Sequence, residues 1–209
     1  MSKLLKIGIT GGIGSGKSYV CRIFEGLGYK IYYADQQAKS LMYTDVQLVG
    51  EVKELLGEKA YTLDGQLDRA YVGSIVFNDP EKLKGLNALV HPAVGRDFYR
   101  WYAEIPKNYP HAFVLKEAAI MYESGSYKDA DAIITVYAPK SVRLQRVLER
   151  EEITEEAVLA RMAQQWPESE KMKRADYTIF NDGKQHLLPQ IREIIRKYSQ
   201  LDQGKTTPE

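Results

Sequence analysis

An α/β three-layer sandwich, a five-stranded parallel sheet between helices, is the fold this sequence predicts, and three observations predict it. The string Gly11-Gly12-Ile13-Gly14-Ser15-Gly16-Lys17-Ser18 fits G-x-x-x-x-G-K-[ST], the spacing of a phosphate-binding loop. A β-prone run precedes it and a helical run follows, the order such a loop requires. Further β-prone runs then alternate with helical stretches, which implies a parallel sheet with its ligand crevice at the carboxyl ends of the strands.

The loop carries its own chemistry. Glycines permit backbone angles and close approach that a side chain forbids. Backbone amides then cradle phosphate, and the following helix adds its N-terminal partial positive charge. Lys17 is placed to reach the β- and γ-phosphates, and the Ser18 hydroxyl to ligate Mg²⁺. A chance match in a chain of 209 residues is roughly a one-in-a-hundred event. The expected class is therefore a P-loop NTPase-type sandwich, here with a helical substrate-binding insert and a helical lid.

In chain order, residues 4–10 read as a short, largely buried strand. Residues 17–27 read as a helix, with Val20, Ile23, Phe24 and Leu27 at helical spacing and Gly28 as its stop. Residues 29–34 form a second strand ending at Asp35, and a helix is expected over about 36–42. From 45 to about 107 the chain is mostly helical. One stretch over 46–56 stops at Gly57, another opens at Leu67-Asp68-Arg69-Ala70, and a third is capped by Asp79 with Pro80 at its first position. That third helix is expected to break or kink at His91-Pro92, with Val94, Phe98, Trp101 and Tyr102 resuming an apolar face.

Residues 112–115 make a third strand closed by Lys116-Glu117, and 132–137 a fourth, followed by Pro139. A basic helix carrying Arg143, Arg146 and Arg150 comes next, then a helix capped by Thr154 that is expected to run through Arg161 and Gln165. Residues 177–180 are the fifth strand, Asn181-Asp182-Gly183 its turn, and 186–201 a closing amphipathic helix. One domain results, with a nucleotide core over about 1–35, 111–138 and 175–201, an insert over about 36–110 and a lid over about 139–174.

Composition fits this reading. The chain is 44 % hydrophobic and 27 % charged with a net charge of +1, which does not suggest a bulk nucleic-acid or membrane binder and leaves room for local basic clusters. Cys21 is the single cysteine, so no intramolecular disulfide forms and a buried, inert thiol is expected. No signal peptide and no apolar run of membrane-spanning length stand out, so a cytoplasmic protein, monomeric or a small homo-oligomer, is expected. No Cys/His spacing suggests zinc, and His111 and His186 are expected at the surface. The polar tail over 202–209 is expected to fray.

The strings N-K-x-D and D-x-x-G of a GTPase are missing. A chain of this size with an arginine-rich helical pair late in sequence reads instead as a small-molecule kinase that closes a lid over ATP. Arg143, Arg146 and Arg150 share roughly one helical face, either for phosphate contact or as a solvated face paired with Glu149, Glu151 and Glu152. Asp35, at the end of the second strand, is either a base for an acceptor hydroxyl or an N-cap. Glu117, at the end of the third, is either a ligand of the Mg²⁺–water shell or a surface carboxylate beside Lys116.

The chain resembles the dephospho-coenzyme A kinase family from about Lys6 to its final helix. The likeness rests on Ile9-Thr10 with the loop, Ala34-Asp35, Leu67-Asp68-Arg69, Val76-Phe77, Leu86-Asn87 and His91-Pro92. It continues through Leu144-Gln145-Arg146 with Arg150, Arg161 with Gln165, Ala175-Asp176-Tyr177 and Asn181-Asp182-Gly183. The resemblance implies ATP-dependent phosphorylation of the ribose 3′-hydroxyl of dephospho-coenzyme A, with Mg²⁺ as cofactor, coenzyme A and ADP as products, and no nucleic-acid or membrane partner. It implies Lys17, Asp35 and Arg146 as catalytic residues. ATP would be bound by Gly12, Ile13, Gly14, Ser15, Gly16, Lys17, Ser18 and Tyr19, with Arg146, Arg150 and Asn181. The acceptor would meet Asp35, Arg69, Asn87, His91 and Glu117, and the metal Ser18 and Glu117.

Two positions depart from the family pattern. Tyr33 stands where an acid two residues before Asp35 is usual. Glu117-Ala118-Ala119-Ile120-Met121-Tyr122-Glu123 replaces Asp-Val-Pro-Leu-Leu-Phe-Glu, keeping the terminal acids and losing the proline. A kinase of another small hydroxyl acceptor, such as a nucleoside or sugar, and a non-catalytic nucleotide-binding protein are the alternatives.

Overall fold

The computed structural model describes residues 3–203. It divides into two compact units, Met1–Tyr33 with Lys107–Glu209, and Ala34–Pro106.

The first unit is built on five parallel strands in the order β2-β3-β1-β4-β5, which are Ile31–Tyr33, Phe113–Glu117, Leu5–Thr10, Ala132–Tyr137 and Tyr177–Phe180. The central strands are buried along nearly their whole length, as in a sheet covered by helices on both faces. Ile7, Ile9, Phe113, Leu115, Ile134 and Ile179 are all fully buried. Helix α1 (Lys17–Gly26) adds Val20, Cys21 and Phe24 to this core.

Two aspartates pin the register. Asp131 accepts from the Lys6 amide at 2.8 Å and donates its own amide to the Lys6 carbonyl at 2.7 Å. Asp176 repeats the motif one strand further on, at 2.8 and 2.9 Å from the Ile133 amide and carbonyl. Each closes the start of a ladder that otherwise leaves a backbone pair open.

The second unit is helical: α2 (Ala34–Thr44), α3 (Val46–Leu56), α4 (Arg69–Val76) and α5 (Pro80–Ala103). Asp45, Asp68 and Asp79 cap the last three, each side chain accepting from amides of the first turn at 2.9 to 3.1 Å. Leu41, Leu48, Val52, Phe98 and Tyr61 form its core, and the Tyr61 hydroxyl donates to the Met42 carbonyl at 2.8 Å.

Several expectations are corrected. The break at His91-Pro92 does not occur: α5 runs for 24 residues with Pro92 inside it. A proline costs such a helix about 3 kcal/mol, and burial of Ala93, Val94 and Phe98 just beyond it holds the far half in place. The second strand is shorter than expected, and α2 already starts at Ala34, so Asp35 lies in its first turn rather than at its cap. Lys116 and Glu117 lie inside β3 and are buried, which removes the surface reading of Glu117. His111 is half-buried and stacks on Tyr29 with ring centroids 4.1 Å apart.

Late in the chain α6 (Lys140–Arg150) is followed by α7 (Glu155–Ala163), capped by Thr154 as expected. This helix stops two residues short of Gln165, and a separate α8 (Glu168–Arg174) follows. The closing α9 (Leu187–Gln203) takes in the first two residues of the expected tail, and the rest of that tail lies outside the described residues. Among the described residues no helix is long and apolar enough to cross a membrane.

Candidate active site

The loop from Gly11 to Gly16 joins β1 to α1 at the carboxyl ends of the strands. Gly14 and Gly16 have φ of 79° and 91°, a region where a Cβ is strained. Space forbids a side chain as well. A Cβ on Gly14 would fall on the Arg143 carbonyl, and one on Gly16 on the Asn181 amide nitrogen. The Ser15 amide closes the inner turn on the Gly12 carbonyl at 3.0 Å. The Lys17 ammonium donates to the Gly11 carbonyl at 2.9 Å, and its stem is buried, so the cation is anchored across the loop that it would serve.

Side chains distant in sequence hold the rest of the loop. Asn181 Nδ2 donates to the Ser15 carbonyl at 2.8 Å, and Arg146 Nη1 lies 3.5 Å from the same oxygen. Arg143 Nη1 donates to the Ile13 carbonyl at 3.3 Å and pairs with Glu168 at 3.9 Å. Gln165 Oε1 accepts from the Ile13 amide at 2.8 Å. Ser18 and Tyr19 are exposed in the first turn of α1. The buried hydroxyls of Thr10, Ser15 and Thr135 have no hydrogen-bond partner among the described residues, which leaves polar capacity beneath and beside the loop.

Glu117, 6 % exposed, is in register with Ile9 of β1 and Tyr33 of β2, at the end of the sheet where the loop begins. Burial pushes the Cys21 thiol well above its ordinary value, the Glu117 carboxylate adds to the rise, and Lys17 opposes it. Carboxylate, ammonium and thiol therefore share one electrostatic neighbourhood, and the thiol stays protonated and inert, as expected. Glu117 and Ser18 offer hard oxygen donors. A nucleotide-bound Mg²⁺ needs only one or two of these, since phosphates and water supply the remainder. Among the described residues no cluster of three or more His, Cys, Asp or Glu could cage a metal independently.

The three arginines of α6 part company. Arg143 is buried, Arg146 is half-buried at the loop, and Arg150 is exposed and pairs with Glu151, which also binds Arg161 at 2.6 Å. Arg143, read from sequence only as one of three arginines for phosphate contact, and Gln165, named only in the family likeness, both hold Ile13 of the loop. They touch the loop from 130 and 152 positions away; the arginine spacing on α6 and the Arg161–Gln165 signature were the signals that pointed to them.

The remaining candidates lie in the helical unit. Asp35 is exposed in the first turn of α2, and Arg69, exposed at the start of α4, lies 3.4 Å from the Tyr43 hydroxyl. Asn87 and His91 are half-buried on α5, and burial lowers the His91 pKa, which favours the neutral imidazole.

Comparison with known proteins agrees with these features. Residues 5–186 match the family model described as dephospho-CoA kinase. The dephospho-CoA kinase of Chlorobaculum tepidum is 38 % identical over 94 % of both chains. That of Geobacillus kaustophilus is 35 % identical over 95 % of this chain and 98 % of its own. A crystal structure of a Thermus thermophilus protein superposes with a TM-score of 0.82 at 33 % identity, covering 94 % of this chain and 98 % of that one. The dephospho-CoA kinase of Campylobacter jejuni superposes at 0.66 with 27 % identity, over 96 % and 98 %.

Proposed function

The chain belongs to the dephospho-CoA kinase family, and from that membership we infer that it transfers the γ-phosphoryl group of ATP to the ribose 3′-hydroxyl of dephospho-CoA, the last step of coenzyme A synthesis. The observation that carries this reading is a complete phosphate loop, pinned on Lys17, inside a family match that spans most of the chain.

The acceptor oxygen bonds to the γ-phosphorus as the bond to the β–γ bridging oxygen breaks, leaving ADP. The hydroxyl proton goes to the Asp35 carboxylate. Lys17, Arg146 and the loop amides balance charge on the phosphoryl oxygens, a role in which one donor is typically worth a few kcal/mol. Ser18 and Glu117 would hold Mg²⁺, which supplies further charge neutralisation when bound. Asn181 and its neighbours lie towards the ATP base, and Arg150 closes over the phosphates from the lid over about 139–174. The helical unit Ala34–Pro106, through Arg69, Asn87 and neutral His91, holds the coenzyme acceptor.

ADP release measured with dephospho-CoA, nucleosides and sugars tests the assignment. Turnover should require dephospho-CoA, and a faster rate with another acceptor would overturn the substrate. Lys17→Met keeps the buried stem and removes the cation, so turnover should fall by about 10²–10³ in a folded protein. Unchanged turnover in that variant would overturn the kinase mechanism.

A further inference from the structure

We propose that Gln165 is a positioning residue for the phosphate loop, fixing the Gly12–Ile13 peptide so that the cradle is formed before nucleotide arrives. The proposal rests on the reading of the loop as the ATP site.

In a trans peptide the N–H and C=O point to opposite sides. The Gly12 carbonyl accepts the Ser15 amide at 3.0 Å, which closes the loop's inner turn. The other side of that same peptide is the Ile13 amide, and it donates to Gln165 Oε1 at 2.8 Å. One peptide plane is thus held at both ends, and rotating it would break the turn and the outer bond together. The next plane is held at its carbonyl end alone, where Ile13 accepts from Arg143 Nη1 at 3.3 Å, and the Gly14 amide is left facing the other side.

The glutamine is itself oriented. Its Nε2 donates to the Ala119 carbonyl at 3.3 Å. Since an amide N–H can only donate and a carbonyl can only accept, the two partners fix which end of Gln165 faces which. Three further contacts dock the surrounding segment without help from residue 165. The Trp166 amide donates to Glu123 at 2.7 Å, the Trp166 ring stacks on Tyr122 with centroids 5.6 Å apart, and fully buried Lys171 pairs with Glu123 at 3.2 Å. Gln165 therefore spans from this docked segment to the amide side of the Gly12–Ile13 peptide, the side that the Ser15 turn does not hold. Glutamate would keep the acceptor and lose the donor that serves the Ala119 carbonyl, methionine would lose both, and serine would lose the reach.

The test uses the full chain with Gln165→Met, Gln165→Ser and Gln165→Glu. For Met and Ser, the KM for ATP and the dissociation constant for ADP should each rise about five- to tenfold, the ratio that one net hydrogen bond carries. The KM for dephospho-CoA should stay unchanged and kcat should fall less than threefold. Hydrogen exchange at the Ile13 amide, without nucleotide, should accelerate in both, while Gln165→Glu keeps that amide protected. A merely structural glutamine would lower the unfolding midpoint without this split. Wild-type ADP affinity in either folded variant overturns the proposal, as does faster Ile13 exchange with unchanged ADP binding. If the wild type binds ADP but does not phosphorylate dephospho-CoA, the substrate assignment fails while the loop test still reads out.

Discussion

Asn181 and Ser15 lie 166 positions apart in sequence, yet the Asn181 amide nitrogen donates to the Ser15 carbonyl at 2.8 Å. Drawing that carbonyl towards the turn after β5 leaves the Gly16 amide facing the opposite side of the peptide plane. The end of the last strand thereby helps shape a loop that belongs to the first. Asn181→Ala should raise the dissociation constant for ADP about fivefold and cost about 1 kcal/mol of stability. Adding Gly16→Ala should not be rescued by the space that opens, because φ at Gly16 is 91°. Calorimetric ADP binding and thermal unfolding of the single and double variants check both statements; full recovery in the double variant would leave the contact purely steric.

Arg146 and Arg150 make a second comparison. Arg146 reaches the Ser15 carbonyl from a half-buried position, whereas Arg150 is exposed and engaged with Glu151. Exposed pairs of that kind contribute about 0–1 kcal/mol. Arg146→Ala should therefore lower kcat by about 10²-fold or more. Arg150→Ala should lower it by less. Steady-state kinetics on the two variants would reverse this order if Arg150 were the principal phosphate ligand.

What was legible in the sequence was local. Gly11 to Ser18 announces the loop because its spacing is contiguous, and Asp79-Pro80 announces α5 because cap and first turn are neighbours. The burial of Glu117 was not legible, since it depends on flanking by Ile9 and Tyr33 from two other strands. Helix α8 escaped notice because its seven residues, ESEKMKR, lack an apolar stripe; its buried side chain is Lys171, paired with Glu123. At Pro92 the local rule for a break is overridden by the burial of Ala93, Val94 and Phe98 just beyond it. Gln165 and Arg143 act on Ile13 across more than a hundred positions; helical spacing marks the face that Arg143 shares with Arg146 but not the loop atom it meets.

The Asp131 brace gives stability a pH dependence. Burial acts to raise its pKa. The Lys3 ammonium at 2.8 Å, the Lys6 amide and the two lysine charges outweigh burial and hold the carboxyl below its usual range. A depressed folded pKa means stability that is present above the unfolded value of about 3.9 and lost as pH falls through the folded one. Asp131→Asn should therefore be less stable than wild type at pH 7, with the difference shrinking below about pH 4 as the wild-type carboxylate takes up its proton. Added salt should reduce the difference at neutral pH, because Lys3 is largely exposed. Urea midpoints across pH measure this; a constant gap would assign the effect to hydrogen-bond geometry alone.

Asp35 is the residue whose two readings diverge most. Its place in the first turn of α2, one residue past the start of the helix, removes the capping role and leaves a weaker one. A carboxylate in a first turn complements the helix dipole by about 0.3–1 kcal/mol. That is all the stability Asp35→Asn should cost if the side chain does nothing else. As the acceptor of the ribose proton it matters far more. The 3′-hydroxyl is a poor nucleophile at neutral pH, and its proton needs a destination while the bond to phosphorus forms. Asn retains the size and one oxygen but has almost no basicity, so kcat should fall by about 10²–10⁴, the range for losing a positioned general base. ATP affinity should hold, because the interaction strengthens only in the transition state. Tyr33, where an acid would be usual in the family, offers no substitute. Burial, with the Glu25 and Glu117 carboxylates, pushes its phenol up, so it stays protonated at neutral pH. Measuring kcat, the KM for ATP and thermal unfolding for Asp35→Asn and Tyr33→Phe separates the outcomes. A large loss of kcat in the first alone supports Asp35 as the base, and a folded, fully active Asp35→Asn enzyme overturns it.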